Sequence, residues 1–174
     1  QSTGGAILMD YVLSASKQRQ QPELERLFLL APLVFPARMQ WLQMKLAFWI
    51  FKSLRSGLPR AFRPNTSNLE FWRFMREEDP LQARLIPLSW LFALKEWAGY
   101  IHQLPPCSFP VWVVQGERDQ TVNGTYNVRF IRKNLHLEKL LLLTEASHQL
   151  ANERADIREP IDNLLLQFLQ QYHV

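Results

Sequence analysis

The chain has 174 residues, 47% hydrophobic and 21% charged, with a net charge of +4 and an isoelectric point near 9.5. This balance suits a globular protein with enough apolar material for a core, and no apolar run reaches the length of a membrane span. There is no zinc-ligand spacing, aromatic-glycine RNA-binding signature or recognition-helix pattern, so nucleic acid is not an expected partner. The single cysteine, Cys107, rules out an internal disulfide, fits a reducing compartment, and reads as a buried small hydrophobe. Much of the positive charge falls between Arg38 and Arg63. It reads as surface charge, or as a preference for anionic lipid or substrate.

Apolar residues recur at helical spacing from Ala6 to Leu13, which predicts a helix beginning at or just after Ser2 and ended by Pro22. Leu27 to Ala31 is a short continuous apolar run, the pattern of a strand buried on both faces of a parallel sheet. From Phe35 to Pro106 the pattern is helical. Helices are expected over Ala37–Leu54 and roughly Pro80–Gln103, with a shorter aromatic stretch from Leu69 to Met75. Residues 35–106 are therefore read as an all-helical insertion, or cap, between two core segments, 1–34 and 107–174. Its apolar stripes carry Trp41, Met44, Phe48, Phe51, Leu91, Leu94 and Trp97. Strand character returns at Val111–Gly116, helix at Tyr126–Asn134, buried strand at Lys139–Leu143, and a last amphipathic helix at Asn152–Tyr172, with Pro160 as a potential kink. Strand alternating with helix predicts an α/β fold with parallel strands.

Three short segments carry chemistry. Gln1-Ser2-Thr3-Gly4-Gly5 fits the back half of Gly-x-Ser-x-Gly, a tight strand-to-helix turn that exposes the serine hydroxyl. There the glycine at Gly4 is expected where a side chain would collide with its neighbours. Asp119 follows the strand ending at Gly116, and His148 follows the next predicted strand. Open parallel sheets place their sites at such strand ends, and the order nucleophile, acid, histidine is that of a Ser-His-Asp triad. Each residue has a bland competitor. Ser2 could be a helix cap, Asp119 a loop cap with Glu117 as the acid, and His148 a surface histidine. His102, His136 and His173 lack the strand-end context and read as structural or solvated. Glu153 reads first as a charge near the N-terminus of the last helix, and secondarily as support for His148.

The segments Ser2–Gly5, Pro110 through Gly116-Glu117-Arg118-Asp119-Gln120-Thr121-Val122, and His148 through Glu153 together resemble the α/β-hydrolase superfamily. Within it, the chain is most similar to bacterial lysophospholipase or monoacylglycerol-lipase-like serine hydrolases. That resemblance implies catalytic Ser2, Asp119 and His148, the Thr3 N–H as one oxyanion-hole donor, and no metal or organic cofactor. It implies cleavage of carboxylic esters, lipid-like ones such as a monoacylglycerol or lysophospholipid, through an acyl-enzyme. A cytoplasmic location is expected, with contact to a lipid surface through the cap. A peptidase, thioesterase or acyltransferase of the same fold, or a non-catalytic hydrolase-fold chain, are the alternatives. The family's earlier strands and its second oxyanion-hole donor are expected to precede Gln1, leaving three legible strands and an exposed edge on the first.

Overall fold

The computed structural model describes residues 1–37, 42, 57–60 and 63–171. The main sheet has three parallel strands in the order β1-β4-β5: β1 (Leu27–Leu30), β4 (Pro110–Gly116) and β5 (His136–Leu143). Leu27 pairs with Val111 and Leu30 with Val114, while Val113 faces Leu140 and Gly116 faces Leu143. Helix α1 (Thr3–Lys17) precedes β1, α4 (Gly124–Asn134) joins β4 to β5, and α5 (Ala155–Gln170) closes the chain. Between β1 and β4 lie α2 (Leu69–Glu77), α3 (Leu88–Ile101) and two-residue strands β2 (Leu58–Pro59) and β3 (Leu85–Ile86), which pair antiparallel.

The sheet separates two apolar layers. On one side Met9, Val12 and Leu13 of α1 and Phe130 and Ile131 of α4 close over Leu29, Val111 and Val113. On the other, Ile157 and Ile161 of α5 meet Val114, Ala146 and Leu150. Phe168 of α5 sets its ring edge against both Phe28 and Trp112, with centroids 5.3 and 5.4 Å apart. The spacing of Met9, Val12 and Leu13 is the i, i+3, i+4 pattern that lets one face of α1 bury itself on a sheet. The helix stops before Pro22 is reached: Arg19 turns left-handed (φ 57°) and the Gln20 N–H returns to the Ala15 carbonyl at 2.9 Å.

Several boundaries differ from the sequence reading, each for a local reason. The helix expected from Pro80 starts only at Leu88, because Pro87 keeps Ile86 extended and Ile86 pairs with Leu58. The segment between β1 and β4 is thus not wholly helical. The strand expected to be buried at Lys139–Leu143 runs from His136 and lies at the edge of the sheet, leaving Leu142 49% exposed. The last helix does not start at Asn152. A single 3₁₀ turn at Leu150–Asn152 is followed by extended Glu153 and Arg154, and α5 then continues through Pro160. Cys107 is half-buried against the α1/α4 layer rather than fully enclosed. Apart from Ala37 and Leu42, the expected helix Ala37–Leu54 lies outside the described residues, as do Trp41, Met44, Lys45, Phe48, Phe51, Lys52, Arg55 and His173. Among the described residues, no helix is long and apolar enough to cross a membrane.

Leu29 sits at the centre of β1 with no solvent exposure and touches the α1 layer. Leu29→Ala should lower unfolding stability by about 2–5 kcal/mol, the usual cost of removing a buried leucine side chain, as measured by urea denaturation.

Candidate active site

Ser2 occupies the N-cap position of α1, yet its side chain makes no cap hydrogen bond to the helix. Its backbone is instead bent into a sharp elbow, φ 51° and ψ −121°, a conformation that costs a non-glycine residue on the order of 1–3 kcal/mol. Main-chain bonds to the end of β1 hold it there. The Ser2 N–H donates to the Leu30 carbonyl at 3.0 Å, and the Ser2 carbonyl accepts from Leu33 at 3.1 Å as well as from Gly5 and Ala6. The close packing anticipated at Gly4 falls one residue later. A side chain on Gly4 would meet nothing within 4 Å, whereas one on Gly5 would stand 3.1 Å from Pro32 Cβ.

The elbow turns the hydroxyl toward His148. Ser2 Oγ lies 3.0 Å from His148 Nε2, and His148 Nδ1 lies 2.8 Å from Asp119 Oδ2. An ionised carboxylate can only accept, so Nδ1 carries the proton and Nε2 is left as an acceptor for the serine hydroxyl. Asp119 and His148 are nearly dry, with side chains 1% and 5% exposed, while Ser2 is half-buried. Asp119 is held by every donor around it. Its Oδ1 accepts from the Thr121 and Val122 N–H groups at 2.7 and 3.0 Å, and Oδ2 also accepts from Gln115 Nε2 at 3.1 Å. Thr3 is the first residue of α1, so its N–H has no partner inside the helix and stands beside the serine at the helix's positive end.

The three residues the sequence singled out are therefore brought together. The others are not: Glu117 is exposed and apart from this chain of bonds, His136 is exposed, and His102 bonds the Tyr126 hydroxyl at 2.8 Å. One support was missed, and another was only the secondary reading. Gln115 is a buried amide at the end of an otherwise apolar strand, and that break in the hydrophobic run was a visible signal. Glu153 does not serve the last helix as first expected. It is buried, and its Oε1 accepts from the N–H of Ser147, next to His148, at 2.6 Å. The secondary reading, support behind the histidine, is the one that matches its contacts. A groove of ≈ 740 Å³ lined by Ser16, Arg19, Cys107 and Phe109 lies at the opposite, N-terminal ends of β1 and β4 and shares nothing with these residues. Among the described residues, no group of three or more His, Cys, Asp or Glu side chains could hold a metal ion.

A serine elbow, an acid and a histidine at the ends of neighbouring parallel strands make this an α/β-hydrolase fold. The family described as Hydrolase_4, serine aminopeptidase S33, matches residues 1–155, and the chain belongs to that family. No curated protein sequence matches the chain. Among solved structures it is similar to a soluble variant of monoglyceride lipase from Saccharomyces cerevisiae in complex with a substrate analog (17% identity, TM-score 0.75, 98% of this chain and 60% of that one). It is also similar to the monoacylglycerol lipase of Paleococcus ferrophilus (14%, TM-score 0.74, 97% and 65%) and to a structure from a study of the metagenome-derived lipolytic enzymes LipS and LipT (17%, TM-score 0.70, 98% and 63%). At these identities the likeness is one of fold, and the chain spans about 60–65% of the length of those structures.

Gly116 has an ordinary backbone conformation but no room for a side chain. A Cβ there would stand 2.3 Å from the Ser147 carbonyl oxygen and 2.4 Å from that of Ala146. Gly116→Ala must push the histidine loop away from β4. A loss of about 1–3 kcal/mol or more is expected in chemical denaturation, the range for overpacked sites.

Proposed function

We propose that the protein is a serine hydrolase that cleaves carboxylic esters through an acyl-enzyme, with Ser2 as nucleophile, His148 as base and acid, and Asp119 as the group that orients the imidazole and stabilises its charged form. The observation that carries this reading is the continuous chain from Ser2 Oγ through both His148 ring nitrogens to Asp119, at 3.0 and 2.8 Å. In the first half-reaction Ser2 Oγ attacks the acyl carbonyl carbon while Nε2 takes the hydroxyl proton. The leaving alkoxide receives that proton from the imidazolium, and the alcohol departs. Water then repeats the sequence on the acyl-serine and releases the acid. The Thr3 N–H, at the start of α1, is one donor to the oxyanion, a contribution worth about 3 kcal/mol where such donors have been removed.

For the substrate, the reading favoured is a lipid-like ester, a monoacylglycerol or lysophospholipid, met by a cytoplasmic enzyme at a lipid surface. Its support is the segment between β1 and β4, which exposes Leu69, Phe74, Leu81 and Trp90 beside the exposed Arg73 and Arg76. Apolar side chains mixed with cations suit an amphiphile. The family's description as a serine aminopeptidase favours a second reading, in which the same triad cleaves an N-terminal amide.

In the intact protein, a fluorophosphonate probe should label Ser2, and Ser2→Ala should abolish both labelling and turnover; a folded, unlabelled wild type would sink the hydrolase reading. Asp119→Asn should keep the fold and lower kcat by about 10⁴, as when the wrong histidine tautomer is enforced in such triads. A series of nitrophenyl esters set against aminoacyl nitroanilides decides the substrate class. Higher kcat/KM on medium-chain esters than on acetate supports the lipid-like reading, and preferential anilide cleavage supports the peptidase.

A further inference from the structure

Glu153 is a buried carboxylate that the proposed hydrolysis does not use, being 1% exposed and without a salt bridge among the described residues. Its charge is met instead by donors from two separate loops. Oε1 accepts from the Ser147 N–H at 2.6 Å. Oε2 accepts from the Ser67 N–H at 2.6 Å and from the Ser67 hydroxyl. Thr66 Oγ1 lies 3.2 Å from Oε2 and 2.9 Å from the Asn152 carbonyl, so its one proton is shared between them. Beside this carboxylate a second clasp joins the same loops: the Asn65 carbonyl accepts from the N–H groups of both His148 and Gln149, at 3.0 and 2.9 Å. Residues 65–67 are thereby bound to residues 147–149. The next residue, Asn68, caps α2 by accepting from the Phe71 N–H at 3.1 Å.

We propose that Glu153 is a positioning residue for His148, and that through it the segment leading into α2 sets the rate of the chemical step. The inference rests on the serine-hydrolase reading. The imidazole must hold two short contacts at once, one to Asp119 and one to Ser2, yet its own main chain lies in a loop outside the sheet. The loop's N–H groups at Ser147, His148 and Gln149 are all spent on Glu153 and Asn65, so these two acceptors fix where the imidazole starts from. Placing an ionised group in a dry site is costly unless donors surround it, and four polar groups converge here for that end. A carboxylate is also the only side chain of this size that accepts at both ends, which is what bridging two sets of N–H donors requires.

Glu153→Gln tests this with little change of shape, because the amide must turn its NH₂ toward either Ser147 or Ser67 and lose one of the two bonds. Ser67→Ala is the milder variant, removing one hydroxyl donor and leaving the main-chain N–H. The intact wild type and both variants are compared with nitrophenyl butyrate and with the rate of fluorophosphonate labelling at Ser2, each normalised to folded protein by near-ultraviolet circular dichroism. For Glu153→Gln, kcat and labelling rate are expected to fall about 10–100-fold with KM within about twofold, the cost of a displaced catalytic group rather than of weakened binding. Ser67→Ala should fall in the same direction by a smaller factor. Folded Glu153→Gln with wild-type kcat overturns the proposal, as does a kcat loss matched by the unfolded fraction alone. If Glu153→Gln does not fold, an unchanged kcat in Ser67→Ala overturns it. Absence of labelling in the wild type would instead remove the hydrolase reading on which it rests, a result distinct from labelled wild type and equally labelled variants.

Discussion

The parallel pairing of β1 with β4 is the constraint on which the site depends. These strands are neighbours in the sheet although a long segment separates them in the chain, and their common direction puts their carboxyl ends at one edge. The serine elbow is tied to the end of β1 through Leu30 and Leu33, and Asp119 follows the end of β4. β5 adds His148 in the same sense. Nothing local could bring residue 2 within hydrogen-bond distance of residue 148. Buried apolar contacts on both sides of the sheet hold the strands, and the polar site is suspended from their ends.

Around that edge the fold spends its buried polar groups economically. Asp119 has two main-chain donors on one oxygen and Gln115 with His148 on the other. Asn127, wholly buried in α4, accepts from the Phe35 N–H and donates to the Pro32 carbonyl, fixing the chain as it leaves β1. Asp119 and Asn127 each hold main chain as well as filling their own polar valences, which is why the loops bearing Ser2 and Asp119 can be short and still be placed accurately.

Much of this was legible in the sequence because it is written in local pattern. The β-branched run Val111–Val114 ending at Gly116 marks a strand and its C-terminal turn, and the placement of Asp119 and His148 just beyond strands follows from it. Ser2 was legible as half of a motif. The length of β5 was less so, since a leucine-rich run favours helix by propensity and is made a strand only by pairing with β4. The small ladder of Leu58–Pro59 with Leu85–Ile86 left no periodic trace at two residues per strand. Glu153 was legible only as a secondary reading, and its partners were hidden for another reason. Its donors, Ser67 and Ser147, sit far apart in the chain, and no spacing rule links a carboxylate to main-chain N–H groups contributed by two distant loops.

The segment between β1 and β4 is anchored at two places, near its start and just before α2, and to different parts of the site. Near its start Pro36 bridges Val122, while the Ala37 N–H reaches the Thr121 carbonyl and the Asn123 N–H reaches Phe35. Thr121 and Val122 are the residues whose N–H groups hold Asp119. Just before α2, Asn65 is bound to the histidine loop directly and Ser67 through Glu153. A rigid swing of the whole segment would have to break one anchorage or the other, and so would disturb the surroundings of Asp119 or of His148. Any ligand that shifted either anchored stretch would therefore be felt at Asp119 or at His148, so contact with this segment and the geometry of the site are mechanically linked.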